Sequence, residues 1–178
     1  MSSGRGHDQP IFHIDMFISL LGRTQDGRYR LLVGDPGMAD RLLGRTPTDH
    51  SLQEEFDDVA SQLAAAGFDV LRNPLPYVFA DSAEEEDLPV DGGTVRIAGR
   101  RQWYHATSNN CLVQIDRSER DVWLPTYGHG ALEGLTVTDD ANAIIWRENG
   151  FTVHQLGDFN PFAVRLGALH CIKKYLAR

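Results

Sequence analysis

Two stretches of this chain can be laid over one another: "AAAGFDVLRN" at 64–73 and "RENGFTVHQL" at 147–156. In each, a helical pattern ends at a glycine, a phenylalanine follows, and a strand-like run begins. The elements upstream also come in the same order. In the first half, "IFHIDMFISLLG" reads as a strand, "QDGR" as a turn and "YRLLVGD" as a second strand; Asp26-Gly27 between apolar runs is a hairpin signal. A helix follows, with Ser51 and Glu54 spaced as a capping box and Leu52, Phe56, Val59 and Leu63 at helical intervals. Gly67 closes it, and "FDVLRNPLP" is the next strand. In the second half, "NNCLVQIDRSERDVWLPTYG" reads as strand, turn and strand. A helix then starts near Thr138 to Asp140 and ends at Gly150, and "FTVHQLGDF" is a strand. A repeat of this length is a supersecondary unit that buries its apolar face against a neighbour. The expectation is an α/β chain of ββαβ modules forming one domain over 1–178. Module one covers about 11–76, and module two with a closing strand about 94–178. The acidic, turn-rich segment 77–93 between them reads as a loop, either solvated or able to close over a cationic ligand.

Charge and apolar patterning exclude several function classes. The net charge of −8 argues against a nucleic-acid partner, which needs a basic face, and mildly suits a small cation. No run of about 18 apolar residues is available for a membrane span, and "MSSGRGHDQP" is no signal-peptide core. Two cysteines, Cys111 and Cys171, make no disulfide framework. The expected compartment is the cytoplasm.

Alternate residues of a strand face opposite ways. If the first segment is one strand, Phe12, Ile14, Met16, Ile18 and Leu20 form an apolar face, and His13 and Asp15 project together from the other. A carboxylate on a core strand is either paired or wet, so the pair is either a solvated surface feature or part of a site. On a closing strand through "ALHCI", Leu169 and Cys171 share one face, and Ala168, His170 and Ile172 the other. Read this way, His170 points away from its neighbouring thiol, and a base for Cys171 has to come from elsewhere; His13 is the candidate. Cys171 is then either an inert core thiol or a nucleophile. Cys111, in "NNCLVQI", reads as core. A metal site built from His13, Asp15, His170 and Cys171 is disfavoured because at most three of them converge and no usual zinc spacing is present.

"FHIDMF" together with the terminal "LGALHC" resembles the guanidine-modifying enzymes of the pentein superfamily, especially the agmatine and arginine deiminases. The resemblance implies a partial pentein-type α/β propeller, about two of five ββαβ modules plus a closing strand. It implies Cys171 as nucleophile, His13 as general acid/base and Asp15 as the carboxylate gripping a guanidinium. Gly167 falls in the small-residue segment before the nucleophile, and Asn109 or Asn110 would line the site. The expected substrate is a cationic guanidino small molecule of the agmatine or arginine kind, hydrolysed to a ureido product and ammonia. No metal or organic cofactor is expected. The superfamily's N-terminal modules and their further acidic residue have no counterpart here, so the resemblance implies the C-terminal part of a split or truncated enzyme, a partner chain that completes the propeller, or a short self-associating variant. Amidino transfer and a non-catalytic, incomplete subunit are the alternatives. Asp35 is a weaker candidate for the substitute carboxylate.

Overall fold

The computed structural model describes residues 13–48, 51–81, 86–90, 93–97, 101–116, 119–165 and 167–172, with only the backbone between 80 and 102. Strands β1 (Ile18–Arg23) and β2 (Tyr29–Asp35) pair antiparallel across the turn that holds Gly27, whose φ of 87° lies in the left-handed region. A bulge between Leu20 and Gly22 shifts their register. Helices α1 (Pro36–Leu43) and α2 (Gln53–Ala65) then carry the chain back to β3 (Asp69–Pro74), which lies parallel to β2. A parallel partner cannot be reached by a tight turn, so the helical crossover is obligatory.

The segment between the modules is not the loop expected over 77–93. It is strands β4 (Tyr77–Asp81), β5 (Glu86–Val90), β6 (Gly93–Ile97) and β7 (Arg101–His105). Strand β4 pairs antiparallel with β7, and β5 with β6, so one hairpin extends from another. Residues 82–85 and 91–92 of the expected loop lie outside the described residues. The acidic side chains conceal a β pattern carried by alternate aliphatic and aromatic positions.

The second module repeats the first. Strands β8 (Leu112–Asp116) and β9 (Glu119–Thr126) pair antiparallel. Helix α3 (Thr136–Glu148) crosses over, and β10 (Thr152–Asp158) returns parallel to β9. The sheet orders are β1-β2-β3 and β10-β9-β8. Gly67 and Gly150 stand just past α2 and α3 with φ of 94° and 81°, the left-handed helix ends anticipated for both. The core joins the modules: Leu21 and Leu32 of the first pack with Val122, Leu124, Trp146 and Phe151 of the second. A second cluster seats Met16 and Phe17 against Phe56 and Leu75.

Four local expectations need correction. First, the opening segment is not one strand. His13 precedes a 3-10 turn over Ile14–Met16, and extended structure starts only at Ile18; Phe12 lies outside the described residues. The apolar face therefore breaks up, with Ile14 66% exposed and Met16 buried. Second, α1 was not anticipated, although "DPGM" marks its start: Asp35 caps it by accepting from the Met38 amide (2.8 Å), and Pro36 takes the first helical position. Asp35 is thus occupied as a cap. Third, the Ser51–Glu54 capping box does not form, because Leu52 is the N-cap, in a left-handed conformation and without a side-chain cap. Gln53 accepts instead from the Gly37 amide, which ties α2 to α1. Fourth, the closing strand expected from Val164 onward is not extended: a short helix α4 (Asn160–Ala163) precedes it, and its described part holds the helical turn α5 (Leu169–Ile172). The remainder of that expected strand, 173–176, is outside the described residues.

Candidate functional site

Between β7 and β8 the chain runs without regular structure through "ATSNNC", and every residue from Ala106 to Cys111 is buried. Buried backbone of this kind must find its hydrogen bonds from side chains. Thr107 Oγ1 donates to the Met16 carbonyl (2.5 Å), and Tyr127 Oη donates to the Thr107 carbonyl (2.9 Å). Asn109 Nδ2 donates to the Leu32 carbonyl and to Ser19 Oγ, while its Oδ1 accepts from Asn73. Asn73 also donates to Asn142 on α3. These amides lock β1, β3 and α3 around the crossing and hold the next residue, Asn110, in place.

Asn110 is fully buried, and its side chain faces the site. Its Nδ2 donates to Asp15 Oδ2 (2.7 Å) and lies 3.5 Å from Cys171 Sγ. Its Oδ1 accepts from the His170 backbone amide (2.9 Å). His170 Nδ1 donates to the same Asp15 oxygen at 2.9 Å, and Cys171 Sγ stands 3.9 Å from it. One carboxylate oxygen is therefore met by an amide, an imidazole and a thiol. The 3-10 turn at Ile14–Met16 sets Asp15 there, and the helical turn α5 presents the other two. Gly167 packs beneath: a Cβ there would stand 3.5 Å from Cys171 Cβ, in ordinary contact. Asp15 and His170 remain partly accessible, with side-chain exposures of 25% and 45%, and Cys171 is exposed while Cys111 is buried.

A cavity of about 300 Å³ opens beside this cluster, lined by Asp15, Ile18, Ser19, Leu20, Asn109, Cys111, Val113, Ile115 and His170. His13 is exposed at the entrance to the 3-10 turn and is not among the lining residues, nor are Cys171, Asn110 and Gly167. The strand face that was to hold His13 beside Asp15 does not exist. His170, which strand parity sent away from Cys171, instead shares a helical turn with it, and both reach Asp15. The sign of this was available in "NPFAVRLG": Asn160-Pro161 opens a helix, and Gly167 interrupts a strand. Cys111, read as core, is buried and also borders the cavity, 3.9 Å from Ser19 Oγ. Among the described residues, no three His, Cys, Asp or Glu side chains are arranged to hold a metal ion, and no helix is long and apolar enough to cross a membrane.

No protein-family model matches the chain, and no curated protein matches it. Among solved structures, it is similar to an agmatine deiminase of C. jejuni, with a TM-score of 0.48 and 15% sequence identity over 89% of this chain. The chain spans 36% of the length of that structure.

Proposed function

We propose that the chain is the catalytic part of a deiminase-type hydrolase acting on a guanidinium group. The observation that carries this reading is the convergence of Cys171, His170 and Asn110 on Asp15, which together with His170 lines a cavity. A guanidinium carbon is a poor electrophile because its charge is delocalised. A carboxylate that holds the planar N–H fork fixes its orientation, and a thiolate is the competent nucleophile. Among the described residues, the hydrogen bonds to Asp15 end on Oδ2; in this proposal Oδ1 accepts from a guanidinium N–H.

In the proposed sequence, Cys171 Sγ bonds to the guanidinium carbon to give a tetrahedral adduct. An imidazolium delivers a proton to one amino nitrogen, the C–N bond breaks, and ammonia leaves an S-alkylthiouronium. The same imidazole then deprotonates water, which attacks this carbon, and collapse expels the thiolate and the ureido product. His13 is the proposed acid/base of the motif. His170, bonded to Asp15, is the second imidazole of the site, and His13→Ala and His170→Ala tested side by side assign the protons. Resolution by an amine in place of water would make the same site an amidinotransferase.

A second reading is favoured by the strand order. Strands β1 and β8 each end a three-stranded sheet, and Asp15 is the one carboxylate among the described lining residues. A partner chain or second copy would then add modules there, with a second guanidinium-binding carboxylate. The test incubates the purified chain with agmatine, arginine and simple alkylguanidines, follows ureido product and ammonia, and searches for a covalent adduct by intact mass. Turnover and an adduct on Cys171, both lost in Cys171→Ala, are expected. Turnover that survives Cys171→Ala refutes the mechanism, and turnover only after a second polypeptide is added selects the subunit reading.

A further inference from the structure

The cavity beside Asp15 is chemically one-sided. We infer that the guanidine it accepts carries an uncharged, apolar tail and does not end in a second charge; this rests on the proposed guanidinium site. Among the described residues, the ionisable side chains lining the cavity are Asp15 and His170, and they hydrogen-bond each other. The walls are Ile18 and Leu20 of β1 and Val113 and Ile115 of β8. Leu20 and Ile115 are 46% and 50% exposed, so a hydrocarbon laid between them removes apolar surface from water on both sides.

The polar atoms of the lining are already committed. Ser19 Oγ donates to the Asn109 carbonyl, Asn109 Nδ2 donates to Leu32 and Ser19, and Asn109 Oδ1 accepts from Asn73. Cys111 contributes a soft, weakly polar thiol. A terminal ammonium or an amino-acid head lying against Ile18 and Val113 would give up part of its water for aliphatic walls and find no partner among the described lining residues, which is costly. An alkyl chain meets no such penalty. The volume, about 300 Å³, is at the small end of ligand cavities and suits a short aliphatic tail.

The experiment titrates the full chain calorimetrically with methyl-, butyl- and hexylguanidine, agmatine and hexylamine. Butyl- to hexylguanidine should tighten about fourfold per methylene. Agmatine, which is butylguanidine with an ammonium at its far end, should bind at least about tenfold more weakly than butylguanidine. Leu20→Asp and Ile115→Asp, both at exposed positions where a carboxylate stays solvated, should flatten the length dependence and bring agmatine level with or ahead of butylguanidine. A length-independent series, agmatine binding as tightly as butylguanidine, or no alkylguanidine binding at all overturns the inference. So does self-association that Leu20→Asp abolishes and hexylguanidine leaves intact, because a second copy would then cover these walls. Binding in the expected order without ureido product leaves the tail preference standing and removes the deiminase reading of the isolated chain. Hexylamine binding as tightly as hexylguanidine removes the guanidine specificity.

Discussion

His105 makes the stability of this protein depend on pH above the range in which an ordinary carboxylate titrates. It closes β7, is 2% exposed, and packs edge-on against Phe56 and Trp103 with ring centroids 5.6 and 5.5 Å away. Neither ring nitrogen has a hydrogen-bond partner of normal geometry among the described residues. Burial lowers its pKa to about 3 and outweighs the neighbouring Leu75 backbone, which acts in the opposite direction. In the unfolded chain the ring titrates near the ordinary value of about 6.5. A depressed folded value means that the unfolded state binds the proton first, so stability is intact above about pH 6.5 and falls as the pH drops. Between about pH 7.5 and pH 5.0 the linkage amounts to roughly 2 kcal/mol. Because pH 5.0 still lies above the folded value, that figure changes little if the folded pKa moves by about a unit. Urea unfolding followed by tryptophan fluorescence across this range measures it. His105→Phe, which fills the aromatic site with an uncharged ring, should abolish the difference, so subtracting the two profiles isolates His105 from the exposed histidines. A wild-type slope that His105→Phe leaves unchanged would refute the reasoning. The buried carboxyl groups of Asp40 and Asp139 are shifted upward, chiefly by desolvation. Their linkage has the opposite sign, with acid favouring the fold until they are protonated, so the low-pH end of the profile should flatten.

Other outcomes follow from single contacts. Gly128→Ala should destabilise by about 1–3 kcal/mol in thermal unfolding, because its Cβ would overlap the Thr136 backbone at the start of α3. The loop cannot shift easily, since Asp139 accepts from the Tyr127 and Gly128 amides at 2.9 and 2.8 Å. Asp35→Ala removes the cap of α1 and its 3.7 Å approach to Arg72; a loss of about 1 kcal/mol in urea unfolding is expected, while Asp35→Asn should lose much less. Cys111→Ala should keep turnover and lower the melting temperature modestly, the behaviour of a buried apolar thiol. Turnover falling as far as in Cys171→Ala would exchange the roles of the two cysteines.

Periodicity and turn chemistry reveal most of both modules, because helix ends at Gly67 and Gly150 and the hairpin at Gly27 depend on local backbone requirements. Alternation fails where a strand pattern is interrupted within a few residues. Asp15 and Cys171 both sit in such places, a 3-10 turn and a four-residue helix, so a parity argument assigned His13 and His170 to the wrong surroundings. Segment 77–93 failed differently: acidity and turn residues outweighed short strands that are specified by pairing with distant partners.

The residue order alone determined that two strand–strand–helix–strand units recur, since local propensity travels with the residue, and it made Asp15 and Cys171 candidates. Only the folded chain decided which side chains meet. Asp15 and His170 are 155 positions apart, yet they share a hydrogen bond, because Asn110, held by the buried amide ladder, fixes both the carboxylate and the backbone of α5. No local pattern encodes a contact that depends on three segments packing at once.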